Sequence, residues 1–181
     1  MEKVKIRKAV MADTRSADRP VTYELLLNDS KSHIRDVQLL GEVCSSLFRD
    51  RLQDHDFTKI LAFQQFLKDF KAAQQDPDQD FTQLPWYQYH IKTERHHLKD
   101  RVPEDVNLFD VFEMVIDGVV AGMARKGECK IFDMDPEILA QAFRNTQRQL
   151  LEYIEVVETL EEEVLPYQLV EVPHNEIHIT L

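Results

Sequence analysis

The sequence predicts a mostly α-helical domain of about five main helices, with short β-strands at its two ends. Its 181 residues include only four glycines and seven prolines, a shortage of turn formers that disfavours a many-stranded barrel or sandwich. Apolar residues recur at helical spacing through most of the chain. The hydrophobic share of 43% is enough to build one sizeable core.

The first predicted helix begins at the cap residues 28–30, an Asn-Asp-Ser run, and ends near Gln53. Positions 33, 37, 40, 44 and 47 follow helical spacing, and His33 is the one strongly polar residue among them. We therefore expect His33 to point into the interior, where an imidazole needs a polar partner.

Four further helices follow from the same periodicity and from start and stop signals. Pro85 and the pair Asp135-Pro136 are typical of a first helical turn, and Gly127 is typical of a C-cap. The helices are predicted over about 57–73, 85–99, 106–126 and 135–157.

The two ends of the chain differ from the middle. Residues 3–7 and 176–181 alternate polar and apolar side chains, the pattern of short strands. We expect them to form a terminal hairpin or to pair with a second subunit in a homodimer. The predicted organisation is an N-terminal extension (1–28), a helical domain (29–160) and an acidic, β-type tail (161–181).

The chain is acidic, with 33 Asp and Glu residues against 22 Lys and Arg residues and a formal net charge of −11. Binding to nucleic-acid backbone or to an anionic membrane needs a basic surface, so neither polymeric nucleic acid nor a membrane is an expected partner. The two cysteines offer no disulfide framework, and the first residues lack the apolar core of a signal peptide. We therefore expect a cytoplasmic protein.

Histidine and carboxylate residues form the most informative pattern. His55 and Asp56 are adjacent at a predicted helix junction, where both side chains can converge on one ion. Asp117 lies mid-helix among apolar residues and needs a cation, a metal or water, and Glu113 lies one turn earlier as a possible acceptor for a ligand histidine. With His33, these imidazole and carboxylate ligands suit manganese, iron, cobalt, nickel or zinc.

His90 and His97 extend this pattern to a second ion. Seven residues make almost two helical turns, so both histidines would share one face of the third helix, with Glu94 between them. His96 would be rotated by about 100° from His97 and is the less favoured partner of His90. One or two divalent transition-metal ions are therefore expected, with Asp56 as the bridge.

The order His33, His55-Asp56, Asp117 resembles the HD-domain superfamily of metal-dependent phosphohydrolases, and His90 and His97 resemble the extra histidines of its dinuclear members. Segments 54–59, 89–97 and 113–117 are more closely similar to an uncharacterised HD-like family of bacteriophages and bacteria. The likeness covers about residues 30–157 and implies an HD-domain-like helical bundle, in the host cytoplasm if a phage encodes it. Thr58 stands where the superfamily usually has glycine.

The resemblance implies hydrolysis of a nucleotide or a related small phosphoester by a metal-activated water. Asp56, Lys59 and Glu94 are then the expected catalytic residues. The expected substrate-binding residues are Lys59, Arg95 and His96. Two alternatives stay open: a mixed-valence di-iron oxygenase on the same kind of scaffold, and a non-catalytic protein that binds a metal, a ligand or a partner.

Overall fold

The computed structural model describes residues 2–8 and 20–158, and these residues are mostly helical, as predicted. Within these two ranges, no helix is both long enough and apolar enough to cross a membrane. The strands are β1 (Val4–Arg7) and β2 (Ile154–Val157), and a 3₁₀ turn covers Phe81–Gln83. The α-helices are α1 (Tyr23–Gln53), α2 (Phe57–Leu61), α3 (Phe63–Gln75), α4 (Pro85–Thr93), α5 (Leu108–Lys126) and α6 (Pro136–Leu151).

The chain divides into two compact units. Of the described residues, one unit combines 2–8, 20–43 and 152–158, and the other covers 44–151. Helix α1 contributes its first part to the terminal unit and its last part to the central unit. The predicted acidic tail at 161–181 lies outside the described residues.

The terminal unit contains a parallel pair of strands, β1 and β2. Val4 pairs with Ile154, and Arg7 pairs with Val157. The prediction that the last helix continues through Val157 is therefore wrong, because α6 ends at Leu151 and the following β-branched residues pair with β1. The predicted strand at 176–181 lies outside the described part of the chain.

Helix α1 begins earlier than predicted. The side chain of Thr22 accepts a hydrogen bond from the amide of Leu25 at 3.2 Å, so Thr22 caps the helix and residues 28–30 lie inside it. His33 is exposed, and the buried residues near it are mostly polar. The prediction that His33 points into the interior is wrong, because this part of α1 buries polar residues instead of its apolar stripe.

The central unit has a small apolar core beneath α5 and α6, formed by Leu98, Val106, Met114 and Ala142. Helix α5 starts with a capping box, in which Asn107 and Asp110 each bond the other's backbone amide. It ends at Gly127, whose φ of 72° confirms the predicted C-cap. These caps fix the bounds of the helix that carries Glu113 and Asp117.

Helix α4 ends at Thr93, so the predicted continuation to Lys99 is wrong. Glu94 is extended, with φ −81° and ψ 120°, and its carboxylate bonds Thr58 on α2. Arg95 next bonds Asp105 and Asp110. These tertiary contacts outweigh the local helical preference, so residues 94–100 form a turn.

Candidate metal centre

The centre is built around Asp56, in the short link between α1 and α2. Asp56 has φ 58° and ψ 20°, a left-handed conformation that is uncommon for a residue with a side chain. This sharp change of direction lets His55 and Asp56 face the same space. Nε2 of His55 lies 3.4 Å from Oδ2 of Asp56, the convergence expected for a helix junction.

A first group of metal-ligating side chains contains His55, Asp56 and His96, whose ligand atoms all lie within 4.8 Å of one another. Nε2 of His96 is 3.7 Å from Oδ1 of Asp56. Asp117 adds a fourth donor from α5, because its Oδ1 lies 3.7 Å from Nε2 of His55. Two imidazoles and two carboxylates are a donor set that suits a first-row transition metal.

A second group contains Asp56, His90 and His97, again with all ligand atoms within 4.8 Å. Nε2 of His90 lies 3.4 Å from Oδ1 of Asp56 and 2.8 Å from Nε2 of His97. Asp56 belongs to both groups, so its carboxylate stands between two candidate ion positions.

Four buried atoms of this cluster have no hydrogen-bond partner within the described residues: Oδ1 of Asp56, both ring nitrogens of His96, and Oε2 of Glu113. A buried polar atom without a partner is costly, since it loses its bonds to water. A cation between Oδ1 of Asp56 and Nε2 of His96, which lie 3.7 Å apart, would satisfy these two. The side chains present therefore fit a divalent metal ion.

Glu113 supports two of the histidines from the side opposite Asp56. Its Oε1 lies 2.9 Å from Nδ1 of His55 and 3.0 Å from Nδ1 of His96. Only the His55 contact is a hydrogen bond; an acceptor at Nδ1 of His55 favours a proton there and leaves its Nε2 with a lone pair for a metal. Burial opposes the charge of Glu113, but the two histidines hold the pKa of this carboxyl below its usual range.

The histidines differ in their electrostatic surroundings. Burial and the neighbouring His97 lower the pKa of His90 to about 4. Burial and His96 also lower the pKa of His97. Burial favours neutral His96 as well, but the carboxylates of Glu113, Asp56 and Asp117 raise its pKa above the usual value. His90 and His97 are thus held neutral, the form that binds metal.

Lys59 lies one helical turn after Asp56, and its Nζ contacts Oδ2 of Asp56. Burial opposes the charge of Asp56, but Lys59, with His55 and His90, holds the pKa of this carboxyl below its usual range. In this structure Lys59 forms an ion pair with a candidate ligand, and its contact with a substrate stays a prediction. The lysine and a metal ion would compete for the same oxygen.

Arg95 and Glu94, two other predicted site residues, have structural partners. The guanidinium of Arg95 bonds the carboxylates of Asp105 and Asp110 and the backbone oxygen of Asp105. Glu94 is buried and accepts from both the amide and the hydroxyl of Thr58. The roles of Glu94 in catalysis and of Arg95 in substrate binding stay predictions.

Of the predicted ligands, the structure brings together His55, Asp56, His90, His97 and Asp117. His33 lies in the terminal unit and is not in either group, so its role as a ligand stays a prediction. His96, predicted to contact substrate, lies among the candidate ligands, and its contact with substrate stays a prediction. The prediction of one helix over residues 85–99 did not indicate that His96 lies near Asp56. His96 approaches Asp56 only because the helix ends before residue 96.

A cavity of about 140 Å³ opens beside the centre. His96, His97 and Asp117 form its inner side, and its remaining walls include apolar side chains and Lys99. Phe132 forms one wall, and Nζ of Lys99 lies 3.9 Å from the centroid of its ring. A cavity of roughly 150 Å³ holds a benzene-sized ring, so this one has room for a small organic group.

Comparison of the chain with protein-family models, with curated proteins and with solved structures finds no match in any of the three. The assignment of a function therefore depends on the geometry of the centre.

Proposed function

We propose that this protein is a metal-dependent phosphohydrolase that acts on a nucleotide or a related small phosphoester. The observation that carries the proposal is the pair of histidine-carboxylate groups that share Asp56, in which Oδ1 of Asp56 and Nε2 of His96 are buried without a hydrogen-bond partner among the residues that the structure describes. Shared carboxylates of this kind are typical of two-metal hydrolytic centres.

One ion would be held by His55, His96, Asp56 and Asp117, and a second by His90, His97 and Asp56. Divalent ions in such a centre polarise a phosphoryl oxygen and lower the pKa of water. Glu113 accepts the Nδ1 proton of His55, which would direct Nε2 of His55 at the ligand position, and Oε1 of Glu113 also lies 3.0 Å from Nδ1 of His96.

Two lysines near the centre favour an anionic substrate. Lys59 pairs with Asp56 and has 40% of its side chain exposed, so its ammonium group can turn to a phosphate once an ion binds the carboxylate. Lys99 is exposed at the cavity wall. The cavity would hold the organic group of the ester beside Phe132.

The test is release of phosphate from a panel of nucleotides, phosphomonoesters and phosphodiesters by protein loaded with Mn²⁺, Co²⁺ or Ni²⁺. We expect activity in the wild type and in His33→Ala, and its loss in His96→Ala and Asp56→Ala. His33→Ala is a matched control because it removes an exposed imidazole.

Folded, metal-loaded protein that hydrolyses nothing in the panel would overturn the proposal. Iron retained through aerobic purification, with the paramagnetic signal of a coupled pair and no phosphate release, would instead support the di-iron oxygenase alternative.

A further inference from the structure

We propose that Thr58 is a positioning residue of the metal centre. Its hydroxyl links the Glu94 carboxylate to Nδ1 of His90. This link holds the ring proton of His90 on Nδ1 and keeps Nε2 available for an ion. The inference rests on the metal site of the proposed function and assigns a role to a residue that contacts no candidate ion position directly.

The direction of the hydrogen bonds follows from the number of protons. Oγ1 of Thr58 donates to Oε1 of Glu94 at 2.6 Å, and an ionised carboxylate can only accept. A hydroxyl has one proton, so Oγ1 can only accept from Nδ1 of His90, which lies 2.6 Å away. His90 must then carry its proton on Nδ1.

Burial makes this arrangement hard to replace by water. Thr58 is fully buried, and His90 and Glu94 are nearly so. The amide of Thr58 also donates to Oε1 of Glu94 at 3.0 Å, which fixes the carboxylate against α2. The ring of Trp86 stacks on His90 with 4.6 Å between centroids and 17° between planes, so the imidazole is held at its face as well as at Nδ1.

The position of the proton on His90 also determines the hydrogen bond between His90 and His97. With its proton on Nδ1, His90 presents a lone pair at Nε2, and Nε2 of His97 lies 2.8 Å from it. The proton between these two atoms therefore belongs to His97. To bind an ion through Nε2, His97 must move that proton to Nδ1, which lies 3.8 Å from Oδ2 of Asp100. Thr58 thus determines which of the two histidines is ready to bind and which must first rearrange.

The test compares Thr58→Val, which removes the hydroxyl at nearly constant volume, with Thr58→Ser, which keeps it. Mn²⁺ affinity is measured by calorimetric titration, and the tautomer of His90 by long-range ¹⁵N–¹H NMR of the metal-free protein. We expect Thr58→Val to bind Mn²⁺ about 10- to 100-fold more weakly, the usual loss for an outer partner of a ligand histidine. Its His90 should lose the pure Nδ1–H signature, whereas Thr58→Ser should keep both properties.

Unchanged affinity and an unchanged tautomer in folded Thr58→Val would overturn the inference. If that variant fails to fold, Glu94→Gln provides the second test, because the neutral amide weakens the acceptor while preserving its size; wild-type Mn²⁺ affinity there would also overturn it. These readouts do not use phosphate release, so a chain that binds Mn²⁺ through this relay but hydrolyses nothing refutes only the proposed function.

Discussion

Nδ1 of His96 lies 3.0 Å from Oε1 of Glu113, and the opposite nitrogen of the same ring lies 3.7 Å from Asp56. This buried imidazole is therefore placed between a carboxylate that orients it and a carboxylate with which it can share an ion. Its neighbour His97 belongs to the second group of donors, so two successive residues lie in the two different groups.

We expect His96→Ala to lose about one equivalent of bound metal, since it removes a donor from the first group. His33→Ala should bind the same amount of metal as the wild type, because His33 is exposed and lies in the terminal unit. Elemental analysis after loading and desalting measures both. Loss of metal from His33→Ala would restore that residue as a ligand.

Replacement of Lys59 by methionine should strengthen Mn²⁺ binding, because the lysine ammonium competes for Oδ2 of Asp56. The expected gain is about two- to fivefold, the equivalent of a partly exposed ion pair. The same variant should have a higher KM for phosphoesters if the freed lysine binds phosphate. Lys68→Met on α3, an exposed position, is the control, and weaker Mn²⁺ binding by Lys59→Met would contradict the competition.

Acid should destabilise the metal-free protein in part through His90. Its pKa falls from 6.5 to about 4 on folding, so between these values the unfolded chain binds a proton that the folded chain does not. The free energy of unfolding should therefore decrease as the pH falls from about 6.5 to about 4.

His96 has the opposite shift, and its contribution is present at low pH and lost as the pH rises through its raised pKa. Urea unfolding in the presence of a chelator, across this pH range, separates the two effects when the wild type is compared with His90→Gln. The variant should show a smaller loss of stability on acidification, and parallel curves would show that His90 does not contribute.

Gly118→Ala tests the wall of the cavity. An added Cβ at Gly118 would lie 2.8 Å from Cε1 of Phe132, which is closer than real Cβ contacts. The ring must move, so we expect a loss of about 1–3 kcal/mol in the free energy of unfolding, as for other overpacked sites. The KM for substrate should change more than the affinity for Mn²⁺. Gly41→Ala, where an added Cβ meets nothing within 4 Å, is the control, and an equal loss there would argue against the steric explanation.

Much of the helical architecture could be predicted from periodicity and caps, including α5 with Gly127 at its end. The end of α4 could not, because nothing in the local sequence at 94–97 breaks a helix. The helix ends because Glu94 hydrogen-bonds Thr58 and Arg95 forms an ion pair with Asp110. These partners are far from residues 94 and 95 in sequence. The β-branched residues of β2 favour a strand. The apolar residues before them follow helical spacing, so the sequence predicts a continued helix instead.

For the candidate site, residues adjacent in sequence predicted the spatial contacts better than residues expected to share one face of a helix. The pair His55-Asp56 converges as predicted for a junction. His90 and His97 also meet, although for a different reason, since the turn after α4 and not a shared helix face brings them together. His33 shows the converse: an apolar stripe in the sequence did not indicate which side of α1 is buried.

The left-handed backbone at Asp56 restricts which amino acids can replace aspartate at position 56. Such a φ costs most L-residues about 1–3 kcal/mol, and Gly, Asn and Asp bear it best. Glycine would preserve the turn and discard the donor, whereas glutamate would preserve the charge and strain the turn. Asparagine retains the backbone geometry with a neutral side chain. A saturation library at position 56, scored separately for folding and for metal binding, should therefore recover Gly, Asn and Asp in the first screen and favour Asp alone in the second.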